Sequence, residues 1–159
     1  MTNYKDWIKD LGLLPHLEGG YYKETYLHPE TLFTQKGERS LSSSCLFLLT
    51  EENPSHLHRL SADETWFYHS GNALTVHCIF PDGNYEEVKI GPDVKKGQLL
   101  SWTVPAGTIF GSTVKSGYAL VSCVVTPAFT FEDFELFTQE QLINRYPHLE
   151  KIIKQLAYE

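Results

Sequence analysis

His56 and His58 stand two residues apart in the stretch HLHRLSADETWFYHSG, residues 56–71. Asp63 and Glu64 follow, then the aromatic run Trp66-Phe67-Tyr68-His69. Imidazoles and carboxylates bind transition metals, and they also carry protons near neutral pH. Side chains alternate between the two faces of an extended strand. His56 and His58 therefore share one face. After a turn at Ser61-Ala62-Asp63, Glu64, Trp66 and Tyr68 share a face of the next strand, and His69 lies opposite. The pattern predicts a cavity with imidazoles, a carboxylate and aromatic walls. Whether Asp63 or Glu64 points inward stays open, because one residue of register reverses every side chain of a strand.

Three chemistries fit these residue types. A divalent transition metal could be held by His56, His58 and Glu64, with His77 on the following strand as a further ligand. Metal-free acid–base catalysis would use His58 as general base, since an imidazole titrates near working pH. Asp63 or Glu64 would then orient the ring, and Tyr22, Tyr68 or Tyr118 would return the proton. A binding module without turnover would stack a sugar or heterocycle on Trp66, Tyr68, Trp102 and Phe110, with Arg59 or Glu18 as polar anchors. Binding is the favoured reading. No bound metal or other cofactor is favoured.

The elements that would position these groups are short. Residues 3–11 repeat Tyr4, Trp7, Ile8 and Leu11 at helical spacing, and Gly12 is placed to end that helix. Strands are expected at 21–28, 40–50, 73–80, 85–90, 98–104, 108–114 and 118–126, besides those of the central stretch. Residues 29–39 read as an exposed loop, and Pro81-Asp82-Gly83-Asn84 as a hairpin turn. Thr138 and Gln141 form a capping-box pair for a helix to about Tyr146, which Pro147 interrupts. Leu149, Ile152, Ile153 and Leu156 give a second amphipathic set. About nine or ten short strands with frequent turns, flanked by helices, predict an all-β sandwich or barrel in one domain spanning 1–159. Phe47, Phe67, Phe80 and Phe131 are expected in its core. His16, His28 and His148 read as solvated, and Glu132-Asp133-Glu135 as an edge strand or loop with a solvated side.

Composition narrows the function. The 159 residues carry a formal net charge of −7, without the basic stripe of a nucleic-acid binder. No apolar run approaches the roughly 18 residues of a membrane helix, and the polar start MTNYKDWIKD lacks a signal-peptide core. Cys45, Cys78 and Cys123 lie in apolar surroundings, are odd in number and form no CxxC pair. They read as reduced core residues of a cytoplasmic protein.

The motifs then resemble a known superfamily. His56-x-His58, five residues, Glu64, six residues and Gly71 is similar to the first cupin motif, with a longer gap to the acid than usual. Asp63 stands at the more usual distance from the histidine, and Glu64 at the expected distance from the glycine. Pro105-Ala106-Gly107-Thr108-Ile109-Phe110 resembles the second motif, with Phe110 standing where that motif places a metal-binding His. Four stretches, LLPHLEGGYYKETY (13–26), HRLSADETWFYHSG (58–71), VPAGTIFGS (104–112) and TPAFTFEDFEL (126–136), resemble the compact fifth cupin family, of unknown function. The resemblance implies a double-stranded β-helix (cupin jelly roll), a homodimer and an internal pocket for a small-molecule ligand. Metal-free sugar-nucleotide epimerases are among the wider relatives. A carbohydrate- or nucleotide-sugar-like ligand follows as an expectation, with epimerisation or isomerisation as the enzymatic alternative.

Overall fold

A computed structural model describes residues 3–159. Met1 and Thr2, part of the polar start and of the expected domain span, lie outside the described residues. Helix α1 (Tyr4–Leu11) starts at Asn3, whose side chain accepts from Lys5 N, while Asp6 accepts from Asn3 N in return. It ends at Gly12, where φ is 67°, a region disfavoured for residues with a Cβ. The strands are β1 (Leu14–Pro15), β2 (Tyr21–Leu27), β3 (Thr31–Thr34), β4 (Gly37–Ser40), β5 (Ser43–Thr50), β6 (Ser55–Leu60) and β7 (Asp63–Gly71). They continue as β8 (Leu74–Ile79), β9 (Tyr85–Ile90), β10 (Ser101–Val104), β11 (Ile109–Val114), β12 (Tyr118–Thr126) and β13 (Phe134–Leu136). Helices α2 (Gln139–Arg145) and α3 (Glu150–Leu156) follow, separated at Pro147. The expected capping box is present, with Gln141 N donating to Thr138 and Gln141 accepting from Thr138 N.

Two antiparallel sheets form the jelly roll. One has the order β1-β2-β5-β12-β7-β10, the other β13-β6-β11-β8-β9. Strict alternation builds the space between them. On β12, Ala119, Val121, Cys123 and Val125 face inward, as do Leu74, Val76 and Cys78 on β8. The outward residues are covered by helices. Leu57, Ile79 and Ile109 pack under Leu142, Ile153 and Leu156 of α2 and α3, while Leu48 and Leu120 lie under Trp7, Ile8 and Leu11 of α1. Burial of each such side chain contributes about 1.5–3 kcal/mol, which is what holds the terminal helices outside the sheets.

Three expectations change. Residues 31–40 form the hairpin β3–β4, not a loop. Its signal was weak because Phe33 is 84% exposed and no apolar face alternates along it. It is anchored at Arg39, which donates to both carboxylate oxygens of Asp133 at 2.9 and 3.1 Å. Asp133 is therefore buried and paired rather than solvated, and Arg39 holds its carboxyl below the usual range. Phe67 and Phe131 are exposed instead of core. Phe67 points outward because Trp66 beside it points inward. Phe47 is buried and Phe80 half-buried against the interior.

Candidate functional site

The site begins with a backbone contact. His16, Glu18 and the pair Gly19-Gly20 lie between β1 and β2. Gly20 N donates to Asn53 Oδ1 at 3.1 Å, and the Glu18 carbonyl accepts from His56 N at 2.6 Å. A Cβ on Gly19, at φ 104°, would stand 1.9 Å from the Pro54 carbonyl oxygen. The glycine is what lets this loop lie on the start of β6. Held there, Glu18 turns its carboxyl into the space between the sheets, where Oε2 is 3.0 Å from His58 Nε2 and accepts a short hydrogen bond from Ser55.

His58 is 2% exposed. Its Nδ1–H donates to the His56 carbonyl at 2.7 Å, so Nε2 is the nitrogen left for Glu18. Their contact needs one shared proton. Burial pushes the His58 imidazole down to about 4. Burial also pushes the Glu18 carboxyl up, an effect that His16, Ser55 and His56 partly offset. Both directions place the proton on the carboxyl, with His58 neutral. His16 completes the group. Its Nδ1 accepts from Glu18 N at 3.1 Å, and its ring stands edge-on to Tyr22 with centroids 4.6 Å apart. Burial lowers its proton affinity too, ahead of the opposing pull of Glu18.

Across the cavity lies Glu64 on β7. Burial, then the nearby Glu18, pushes its carboxyl well above the usual carboxylate range. The Trp66 indole N–H is near enough to favour the charged form, yet it makes no hydrogen bond of good geometry and is buried without a partner. The enclosed room is about 50 Å³, several times the space that one water needs. Its walls include Tyr22, Phe47, Trp66 and Phe129, with Cys45 and Cys123, Cα partners across β5 and β12, on one side. All three cysteines are free thiols.

The cavity thus brings together His58, Glu64, Glu18, Tyr22 and Trp66 from the expected set. Asp63 is excluded, since its carboxylate accepts from Ala106 N at 2.7 Å. The other expectations are corrected. His56 does not share a face with His58. The pairing of β6 with β11 slips between Phe110 and Ser112, so His56 and Leu57 together oppose Gly111. Such a bulge interrupts alternation. His56 instead stacks on Tyr158 at 3.8 Å and donates through Nδ1 to the Glu18 carbonyl. His77 lies on the outer face of β8, bonded to Tyr85 and Thr113. His56, His58, Glu64 and His77 therefore do not converge as metal ligands. Among the described residues, no group of three or more His, Cys, Asp or Glu side chains stands ready to hold a metal.

Arg59 points outward, paired with Glu135 at 2.6 Å. Tyr68 faces inward but donates its hydroxyl to the Gly71 carbonyl at 2.8 Å, outside the cavity wall. Tyr118 lies under α1, bonded to Trp7 and Ser70. Phe110 backs His58 at 4.2 Å as buried core, and Trp102 packs against the interior beside Trp66; neither lines the cavity. His16, read as solvated, has a side chain only 6% exposed and lines the cavity. Its signal was present in His16-x-Glu18, the same two-residue spacing as His56-x-His58. Ser55, Phe129 and the two cysteines carried no such signal.

A family model described as cupin superfamily (DUF985) matches residues 5–137. An uncharacterized protein of Saccharomyces cerevisiae, YML079W, is 31% identical over 150 residues, 83% of this chain and 74% of its own length. A hypothetical protein from Leishmania major is 45% identical over 99% of this chain and 100% of its own, with TM-score 0.96. Protein SO0799 from Shewanella oneidensis is 42% identical, covers 100% of both chains and has TM-score 0.94. Oxalate decarboxylase from Bacillus subtilis matches at TM-score 0.58 and 14% identity over 91% of this chain and 37% of its own, a likeness of fold alone. With its motifs in place on two facing sheets, the chain belongs to the DUF985 family of the cupin superfamily.

Proposed function

We propose that this protein binds a small, carbohydrate-like molecule in the cavity between its sheets. One observation carries the reading. Buried polar groups, Glu18 with His58 and the partnerless Trp66 N–H, meet in a space whose walls include the rings of Tyr22, Phe47, Trp66 and Phe129. Buried donors are nearly always satisfied, and a hydroxyl oxygen would satisfy this one. Aromatic rings meanwhile offer the apolar faces on which a sugar ring lies. A nucleotide sugar fits less well. None of the described side chains lining the cavity is Lys or Arg, so a diphosphate would enter without a counter-charge. A homodimer and a cytoplasmic location belong to the same proposal.

The second reading is a metal-independent epimerase or isomerase. It is favoured by the fixed tautomer of His58, whose Nε2 faces a protonated carboxyl in a buried site. With substrate bound in place of the Glu18 contact, His58 Nε2 would take a proton from carbon, its Nδ1–H held by the His56 carbonyl, and Tyr22 would stand nearest as the returning acid. A screen of monosaccharides and polyols by ligand-observed NMR tests the first reading, and saturable binding displaced by occupancy of this cavity is expected. His58→Ala separates the two. In an enzyme it abolishes turnover while leaving some affinity, and in a binding protein it changes affinity alone. Absence of any bound sugar or polyol at millimolar concentration would overturn the binding proposal.

A further inference from the structure

The ligand's chemistry can be narrowed from the charges that face the cavity, an inference that rests on the binding proposal above. Glu18 and His58 form a self-sufficient pair, because one proton between them leaves the pair neutral. Glu64 has no such partner. The titratable groups facing it are Glu18, Cys45 and Cys123, none of them a cation. Beside it stands the Trp66 indole, 1% exposed, with its N–H unpartnered. A carboxyl and an orphan donor side by side present an acceptor for a cation and a donor for an oxygen.

We propose that the ligand is a small amino alcohol of the amino-sugar class, its ammonium paired with Glu64 and its adjacent hydroxyl oxygen accepting from the Trp66 N–H. The indole and the Phe47 ring, 6.0 Å from it edge-on, add attraction for a cation held against aromatic faces. Burial pushes the Glu64 carboxyl well above the usual carboxylate range, which favours its neutral, protonated form in the free protein. Amine binding therefore displaces that proton to the buffer, leaving a carboxylate against an ammonium, and charge balances at each stage.

A matched ring series tests this by calorimetry on the full chain: trans-2-aminocyclohexanol, cyclohexane-1,2-diol and cyclohexylamine. The amino alcohol is expected to bind at least about tenfold tighter than either of the others, the scale of one charged hydrogen bond. Its binding enthalpy should change with the ionisation heat of the buffer, as proton release requires. Glu64→Gln, close in shape to the protonated acid, should erase its advantage over the diol. The proposal is overturned if the diol or cyclohexylamine binds as tightly as the amino alcohol in the wild-type protein, or if the advantage survives Glu64→Gln. In those cases the binding reading stands. If none of the three binds while sugars do, this inference alone fails. If nothing binds at all, both fail.

Discussion

Glu64 is a buried carboxyl without a counter-charge, so its protonation enters the stability of the fold. Folding raises its proton affinity above the ordinary value of 4.5. The folded state then holds more protons than the unfolded state at any pH between 4.5 and the raised value. Stability falls as pH rises wherever that holds. The stability contributed by the neutral acid is fully present below 4.5 and is lost as pH rises through the folded value. Glu64→Gln has no proton to lose. Its unfolding free energy is expected to gain on wild type as pH rises, by about 1.4 kcal/mol for each unit through which folding raises the group. Denaturant unfolding between pH 4 and pH 8 measures it, and parallel curves would refute it. Glu18 and His58 act differently. Between about 4.5 and 6.5 an unfolded Glu–His pair also carries one proton in total, so the folded pair adds little slope there.

At the scale of elements, the loop between β1 and β2 and the start of β6 are one device. The Glu18 carbonyl accepts from both His56 N and His56 Nδ1, and the Gly19 backbone lies against Pro54. Gly19→Ala adds a Cβ where backbone oxygen already stands, at a φ that only glycine adopts readily. The expected cost is on the order of 3 kcal/mol or more, read in thermal unfolding. Residual folded protein should also bind ligand more weakly, because Glu18 is displaced from His58. A wild-type melting curve would show that the loop does not need glycine. The bulge in β6 belongs to the same device. It turns His56 out toward Tyr158, where the imidazole ties down the loop, and leaves His58 alone facing inward.

At the scale of the molecule, a terminal helix or helix pair packs on the outer face of each sheet, but the end of β2 and the β3–β4 hairpin keep large apolar side chains exposed. Tyr26, Leu27 and Phe33 are half or more exposed. Exposed large apolar side chains are the material of association surfaces, and the homodimer proposed for this chain would bury Leu27 and Phe33. Sedimentation velocity is expected to show a dimer, and Phe33→Glu with Leu27→Glu should shift it to monomer without loss of secondary structure. A wild-type monomer at all accessible concentrations would remove the dimer proposal. No helix among the described residues is long and apolar enough to cross a membrane.

Much of this was legible in the chain. The apolar run at 118–126 and the hairpin turn at 81–84 predicted β12, β8 and β9 closely, and the Thr138–Gln141 box predicted the start of α2, because these signals are local. Glu64, His58 and Trp66 were found on inward faces for the same reason. What escaped was set by contacts distant in sequence. The bulge that removes His56 arises where β6 meets β11, and the hairpin at 31–40 is anchored by an aspartate more than ninety residues away. His16 faces the cavity because a glycine pair lays its loop on β6, and Tyr68 leaves the wall because its hydroxyl finds the Gly71 carbonyl. Periodicity within a strand determined which residues could face one another. Pairing between strands decided which of them do, because a single slipped residue redirects a side chain by half a turn.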